Sequence, residues 1–396
     1  MNAPQTPNPA RKRLMLLATG VFILIAIAYA VWWWVVGSHF ESTDDAYVHG
    51  NLVQITPQVP GTVVAIEADD TETVQAGAPV VRLDNADTDI ALAQAEAKLG
   101  QTVRQVRTLY VQNDALAADV DVRVADIERA QADLARARSD FARRQALAKS
   151  GGVSGEEILH AQTTLKSAES GVAQAKAALA AAKAKLATNQ ALTHGTTVEQ
   201  HPDVLEAAAN VRNAWLASSR TVLPAPVTGM VARRGVQVGQ HVSPGSTLMN
   251  IVPLDQVWVE ANFKEGQLRN MRVGQDVELT ADLYGGSVKY HGKVAGLDAG
   301  TGSAFALLPA QNATGNWIKV VQRVPVRIAL DPKELQAHPL RIGLSMDVEV
   351  DVGKQEGKAV TEATRAEPAW STRAFEPDHK EADAMIQKII QANLAQ

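Results

Sequence analysis

Carboxylates, imidazoles and glycine loops are where a chain most often does chemistry, and here each stops short of a site. Asp84, Asp87 and Asp89 crowd one short segment and offer the oxygen ligands that a hard cation takes. They also open a long helix, where negative side chains are favoured by the helix dipole. His194 and His201 could supply two ligands to zinc, but no cysteine or carboxylate cluster nearby completes a tetrahedral set. As turn and cap residues they need no metal. Gly300-x-Gly302 lacks the third glycine and the strand–turn–helix setting of a dinucleotide loop. No Walker loop and no nucleophile elbow is present. The residues therefore predict no catalytic group, no cofactor and no metal, and a protein that is not an enzyme.

What remains is a chain built for contact. Leu92, Leu99, Val106, Asn113, Val120, Ile127, Leu134 and Phe141 recur at strict sevens, as do Ile158, Leu165, Val172, Leu179 and Leu186. A sustained seven-residue repeat keeps one seam facing a partner helix and means a coiled coil. The intermediate seam positions are small, with Ala95, Thr102, Ala130 and Ala137 going out and Ala161, Ala168, Ala175 and Ala182 returning. Two arms in one chain, joined by a glycine-rich turn at residues 150–155, predict a long antiparallel hairpin over residues 85–220. Thr193–His201 interrupts the return arm, and the seam resumes at Val204, Ala208, Val211 and Trp215. The arms balance in length only if the segment after Pro202 belongs to the hairpin.

Composition narrows the class. The formal net charge of −5 and the lack of a basic run beyond the extreme N-terminus argue against nucleic acid as a partner. There is no cysteine, so disulfide and thiolate chemistry are absent. Residues 1–13 form a proline-bearing tail ending in Arg11, Lys12 and Arg13, followed by an uncharged apolar run at residues 14–36. That run is long enough to span a bilayer. Trp32, Trp33 and Trp34 sit at its far end, as an interfacial aromatic belt would. With the basic flank in the cytoplasm, everything after Val36 is expected on the outer side of the membrane. A cleaved signal peptide competes, since Ala28-Tyr29-Ala30 resembles a cleavage site, but cleavage there would leave three tryptophans at a soluble terminus.

The most informative repeat brackets the hairpin. Residues 57–84 and 225–252 align without a gap at an offset of 168. Gly61 matches Gly229, Val63 matches Val231, Val74 matches Val242, Gly77 matches Gly245, Val80 matches Leu248, and Leu83 matches Ile251. Each copy reads as short strands broken by glycine turns, too small to bury its own face. The two copies are expected to fold on each other, as residues 57–84 and 221–253 of one small sandwich. Residues 254–352 alternate as barrel strands do, through Val257/Val259, Val277/Leu279, Val324/Val326/Ile328 and Met346/Val348/Val350. An early strand within residues 44–56 is expected to join that barrel. The tail at 353–396 turns polar, with a short amphipathic helix at 378–394 through Met385, Ile386, Ile389 and Ile390.

The paired halves resemble a split lipoyl or biotinyl carrier fold, without a lysine on the turn after Leu83. A split lipoyl-like domain with an inserted coiled coil, behind one anchor, resembles the membrane fusion (periplasmic adaptor, HlyD-like) family of Gram-negative export systems. Residues 257–265 (VWVEANFKE) and 307–317 (LLPAQNATGNW) are similar to its EmrA branch. The resemblance implies an α+β multi-domain fold: one transmembrane helix, a split lipoyl-like β-sandwich (a barrel-sandwich hybrid), a long α-helical hairpin and a β-barrel. It implies an adaptor for multidrug efflux, with an inner-membrane major-facilitator-type exporter and a TolC-type outer-membrane channel as partners, and several adaptor copies in a ring. Adaptors that dock on such channels carry Arg-x3-Leu-x6-Ser at the hairpin tip, and Arg143, Leu147 and Ser154 fit it. Arg143 would offer a planar guanidinium, Leu147 an apolar knob, and Ser154 a hydroxyl. The same residues also read as a solvated arginine, a last seam contact and an N-cap with Glu157 three residues on. An adaptor for ATP-driven protein secretion shares the architecture, and a membrane-tethered lipoyl or biotinyl carrier is the reading from another class.

Overall fold

A computed structural model describes residues 9–35, 37–149, 151–305, 321–358, 368–376 and 379–395. In chain order these form α1 (Pro9–Val35), β1 (Phe40–His49), β2 (Val53–Ile55), β3 (Gly61–Ile66), β4 (Thr73–Val74) and β5 (Pro79–Leu83). Three helices follow, α2 (Ala86–Ala148), α3 (Gly155–Thr193) and α4 (Pro202–Ser219). Next come β6 (Val222–Pro224), β7 (Gly229–Arg234), β8 (His241–Val242), β9 (Met249–Val252), β10 (Trp258–Lys264), β11 (Asp276–Ala281) and β12 (Lys289–Leu297). The chain ends with β13 (Arg323–Leu330), α5 (Pro332–Ala337), β14 (Ser345–Asp351) and α6 (His379–Leu394). Two compact units result: residues 1–83 with 222–375, and residues 84–221 with 376–396.

In the first unit, six strands close a barrel in the order β1-β10-β13-β12-β11-β14. Alternation drives it: Val259, Ala261 and Phe263 on β10, and Met346, Val348 and Val350 on β14, all point inward and are buried. Tyr290 is fully buried among them, its hydroxyl donating to the His338 carbonyl at 3.0 Å. Burial pushes that phenol up to about 12. β1 takes its place with Ala46 opposite Ala261 and Thr43 opposite Val348. The strand expected within 44–56 is divided. It leaves the barrel at His49, and Val53–Ile55 pairs with Ile251–Met249 in the sandwich instead. Ile55 is 2 % exposed in the sandwich core, which is why the chain turns at Gly50–Leu52 rather than continuing. Residues 307–320 of the most family-like stretch lie outside the described residues.

The sandwich interleaves the two repeats. Its sheets run β2-β9-β7-β4 and β6-β5-β3-β8, so strands of each half pair with strands of the other. Val63, Val74, Val80 and Leu83 are buried, and so are their repeat partners Val231, Val242, Leu248 and Ile251. The backbone bonds repeat as well. Glu67 N–H donates to the Val80 carbonyl at 2.9 Å, and Gly235 N–H to Leu248 at 2.8 Å. Gly77 N–H reaches Ala225 in the other half at 2.8 Å, and Gly245 N–H reaches Pro57 at 3.3 Å. An internal two-fold relation thus follows from one short sequence used twice. Gly229 shows why that sequence needs glycine: a Cβ there would lie 2.4 Å from the Val252 carbonyl oxygen.

The second unit is the hairpin with α6. α2 runs out and α3 and α4 return, with the backbone interrupted from His194 to His201. His194 is the C-cap of α3, and His201 N-caps α4, its Nδ1 accepting from the Asp203 N–H at 3.2 Å. Asp89 Oδ1 accepts from Ser218 at 2.9 Å, and its other oxygen from Asn85 at 2.7 Å, so it is spent on closing the hairpin's root. α6 lays Ile386 and Ile390 against α2 and α4, and its Ala382 is buried as well.

Candidate functional site at the hairpin tip

The tip is formed by local rules. α2 ends at Ala148 and the chain reverses through Gly151 at φ 76°, a left-handed position suited to glycine. Gly151 N–H donates to the Ala148 carbonyl and Gly152 N–H to Leu147, both at 3.1 Å, so the last carbonyls of α2 are satisfied. α3 opens on a complete capping box. The Ser154 hydroxyl accepts from the Glu157 N–H at 3.2 Å, and Glu157 Oε2 accepts from the Ser154 N–H at 2.9 Å and from its hydroxyl at 3.0 Å. The Ser154 backbone bond, then its hydroxyl, hold the Glu157 carboxyl below its usual range.

Arg143 and Leu147 lie one turn apart on α2, and Ser154 begins α3 on the other side of the reversal. Arg143 Nη2 and Arg144 Nε each reach Asp140 at 2.9 Å, so a single carboxylate sits between two guanidiniums. The Arg143 side chain is 68 % exposed and Leu147 is 47 % exposed. Leu147 is thus not sealed in the seam, and Arg143 has donors beyond those Asp140 takes. Ser154 differs: its proton and one acceptor position are used within the capping box, which leaves one lone pair for anything else. Leu159 is 64 % exposed in the second turn of α3, an apolar contact candidate missed because it falls outside both the seam and the tip pattern. The arrangement holds an apolar side chain and a planar cation beside a turn closed by backbone bonds.

Elsewhere, α1 contains an uncharged span, Leu14–Trp32, long and apolar enough to cross a membrane once. Trp32 is exposed, its ring centroid 6.0 Å from that of Tyr29. The side chains of Trp33 and Trp34 lie outside the described residues. Asp84, Asp87 and Asp89 stand at the start of α2, Asp84 accepting from the Ala86 N–H at 3.0 Å. No group of three or more metal-binding side chains occurs among the described residues.

Residues 86–221 match the family model described as "EMRA, alpha-helical hairpin domain", and residues 256–351 match "AAEA-like beta-barrel domain". The chain is 46% identical over 368 residues to "Multidrug export protein EmrA" of Escherichia coli (strain K12), covering 93% of this chain and 91% of that one. It is 43% identical over 399 residues to "Probable multidrug resistance protein EmrK" of the same strain, covering 99% and 98%. To "Fatty acid resistance protein FarA" of Neisseria gonorrhoeae it is 46% identical over 374 residues, covering 93% and 91%. Similarity of this extent takes in the anchor segment, both β domains and the whole hairpin, and on that ground the chain belongs to the EmrA-type membrane fusion protein family.

Proposed function

We propose that this protein is the periplasmic adaptor of a tripartite multidrug efflux system, linking a major-facilitator-type exporter in the inner membrane to a TolC-type channel in the outer membrane. The observation that carries the reading is near full-length similarity to proteins named for multidrug export and multidrug resistance, in a chain with an N-terminal apolar span and a very long hairpin. α2 has 63 residues, and at about 1.5 Å per residue the arm reaches roughly 95 Å, enough to cross much of a periplasm. In this reading α1 is a single-pass anchor with its N-terminus in the cytoplasm. The barrel and sandwich stand on the periplasmic side, and Arg143, Leu147 and Ser154 meet the channel. The adaptor performs no catalysis; the exporter supplies the energy. Relatives of equal similarity are named for multidrug export and for fatty acid resistance, so cargo choice lies with more than the shared framework.

Crosslinking in intact membranes followed by affinity purification tests the reading. A facilitator-type exporter and a TolC-type channel in the same eluate are the expected outcome. Recovery of an ATP-driven transporter without a facilitator would replace it with the secretion adaptor.

A further inference from the structure

Burial divides the hairpin into two mechanically different parts. Near its root, Leu99, Val103, Val204 and Val211 are sealed from solvent beneath Ile386 and Ile390 of α6. Arg212 Nε bonds Asp383 at 2.7 Å, fixing α6 along that face, and Gln391 bonds Glu199, at the root end of the interruption between α3 and α4, at 2.8 Å. Gly100 lets it approach closely, since a Cβ there would stand 3.1 Å from the Asn393 amide nitrogen. Beyond Val106, no residue of α2 is buried, and across the distal seam α3 buries Ala161, Val172 and Ala182, because a pair of helices without a third covers only part of its seam.

Between these parts lies a polar cluster where an apolar layer would be expected. Asn189 donates to the Leu109 carbonyl at 2.8 Å and to Asn113 Oδ1 at 2.9 Å, and Asn113 donates to Thr193 Oγ1 at 2.7 Å. The Tyr110 hydroxyl donates to the Thr196 carbonyl at 2.8 Å. A seam asparagine fixes coiled-coil register at a cost in stability; here Asn189 is buried and Asn113 half-buried. At the same level the return arm loses its helical ladder from His194 to His201, while α2 passes through unbroken.

We infer that the hairpin is a jointed arm: α6 locks its root into a rigid three-helix block, and the distal two-helix part bends about α2 at the Asn113–Asn189 bond. A two-helix rod resists bending because its helices cannot slide past each other and both must bend. Where one is interrupted, only a single helix resists. The asparagine pair, with its register pinned, converts freedom at the break into angular motion rather than slippage. The inference rests on the second unit alone, and stands or falls separately from the partners proposed above.

The chain contains no cysteine, so pairs of spin labels can be placed on the full-length protein without background. Glu206→Cys with Lys388→Cys reports the root, Gln131→Cys with Glu169→Cys the distal arm, and Glu206→Cys with Glu169→Cys the joint. Pulsed dipolar spectroscopy should give narrow distance distributions for the first two pairs and one about twofold broader for the third. Ile386→Asp should broaden the root pair and leave the distal pair narrow. A joint pair as narrow as the distal pair would overturn the inference. So would a root pair indifferent to Ile386→Asp, or a distal pair that broadens along with it.

Discussion

Thr71, at φ 72°, occupies the position one repeat before Gly239, at φ 84°. The two make equivalent backbone bonds, Thr71 N–H to the Val231 carbonyl at 2.9 Å and Gly239 N–H to Val63 at 2.8 Å. Each half of the sandwich therefore demands a left-handed residue at the same turn, and only the second half supplies glycine. A β-branched residue there is strained. Thr71→Gly should stabilise the sandwich by about 0.5–1 kcal/mol, the left-handed penalty less the entropy that glycine loses. Gly239→Thr, the reverse change at the equivalent turn, should cost a similar amount, about 0.5–1 kcal/mol. Amide exchange of β3 and β7 measures both, and a Thr71→Gly protein less protected than the parent would show that the Thr71 side chain holds more than its backbone costs.

Ser154 has two roles that one substitution confounds. Ser154→Ala removes the cap and should cost the first turn of α3 about 1 kcal/mol, apart from any effect on docking. Ser154→Asp keeps a capping oxygen without the hydroxyl proton. If Ser154 meets the channel through its hydroxyl, channel crosslinking falls in both variants, while exchange at residues 156–158 rises only in the first.

The same box carries a pH dependence. Bonds from Ser154 hold the folded-state value of Glu157 below its usual range. Its contribution is present above the ordinary carboxylate value and is lost as pH falls through the lowered one. Helicity at the start of α3 should therefore decline in acid, and Glu157→Gln should flatten that decline. Residue-resolved carbon chemical shifts across an acid titration read it directly.

At the tip, Arg143→Asp and Leu147→Asp should each abolish the drug resistance that the adaptor confers on cells, with expression and exporter crosslinking preserved. Both side chains are well exposed, so the fold should lose no more than about 0.5 kcal/mol. Full resistance in both variants would remove these residues from the docking role.

On the barrel, His291 Nδ1 lies 2.8 Å from Glu334 Oε1, and Glu334 Oε2 accepts the His291 N–H at 2.6 Å. The side-chain bond and then the charge of Glu334 raise the imidazole above its ordinary 6.5. This contribution is complete below that value and disappears as pH rises through the raised one. Protection of α5, corrected for intrinsic exchange, should fall with rising pH across that window in the parent. In Glu334→Gln it should not.

Periodic features were readable from the chain alone. The sevens from Leu92 to Phe141 describe a helix pair because one spacing serves a long seam, and the match of Val63 to Val231 describes a two-part sandwich because both copies must bury the same positions. Single decisions were not readable. Val53–Ile55 alternates as well for the barrel as for the sandwich, and only Ile55 finding its pocket decides between them. The apolar stripe of α6 was visible in Met385, Ile386, Ile389 and Ile390, but its acceptor on α2 and α4 is far away in sequence and carries no local mark. At the tip, the capping of Ser154 by Glu157 was legible from spacing. The sharing of Asp140 by Arg143 and Arg144, and the exposure of Leu159, depend on rotamers that no spacing encodes.

The closure of the barrel also dictates an order of assembly. β1 is held between β10 and β14, so the earliest strand to be synthesised has both edges bare until β10 (Trp258–Lys264) exists and one edge bare until β14 (Ser345–Asp351) does. Contacts this distant in sequence are slow to form, and an unpaired strand edge invites foreign partners while it waits. The polar and charged run Glu41-Ser42-Thr43-Asp44-Asp45 within β1 is the kind of sequence that keeps such an edge in solution. Closing the stave last makes a finished barrel a certificate that synthesis reached β14: a chain truncated before it leaves one edge of β1 open.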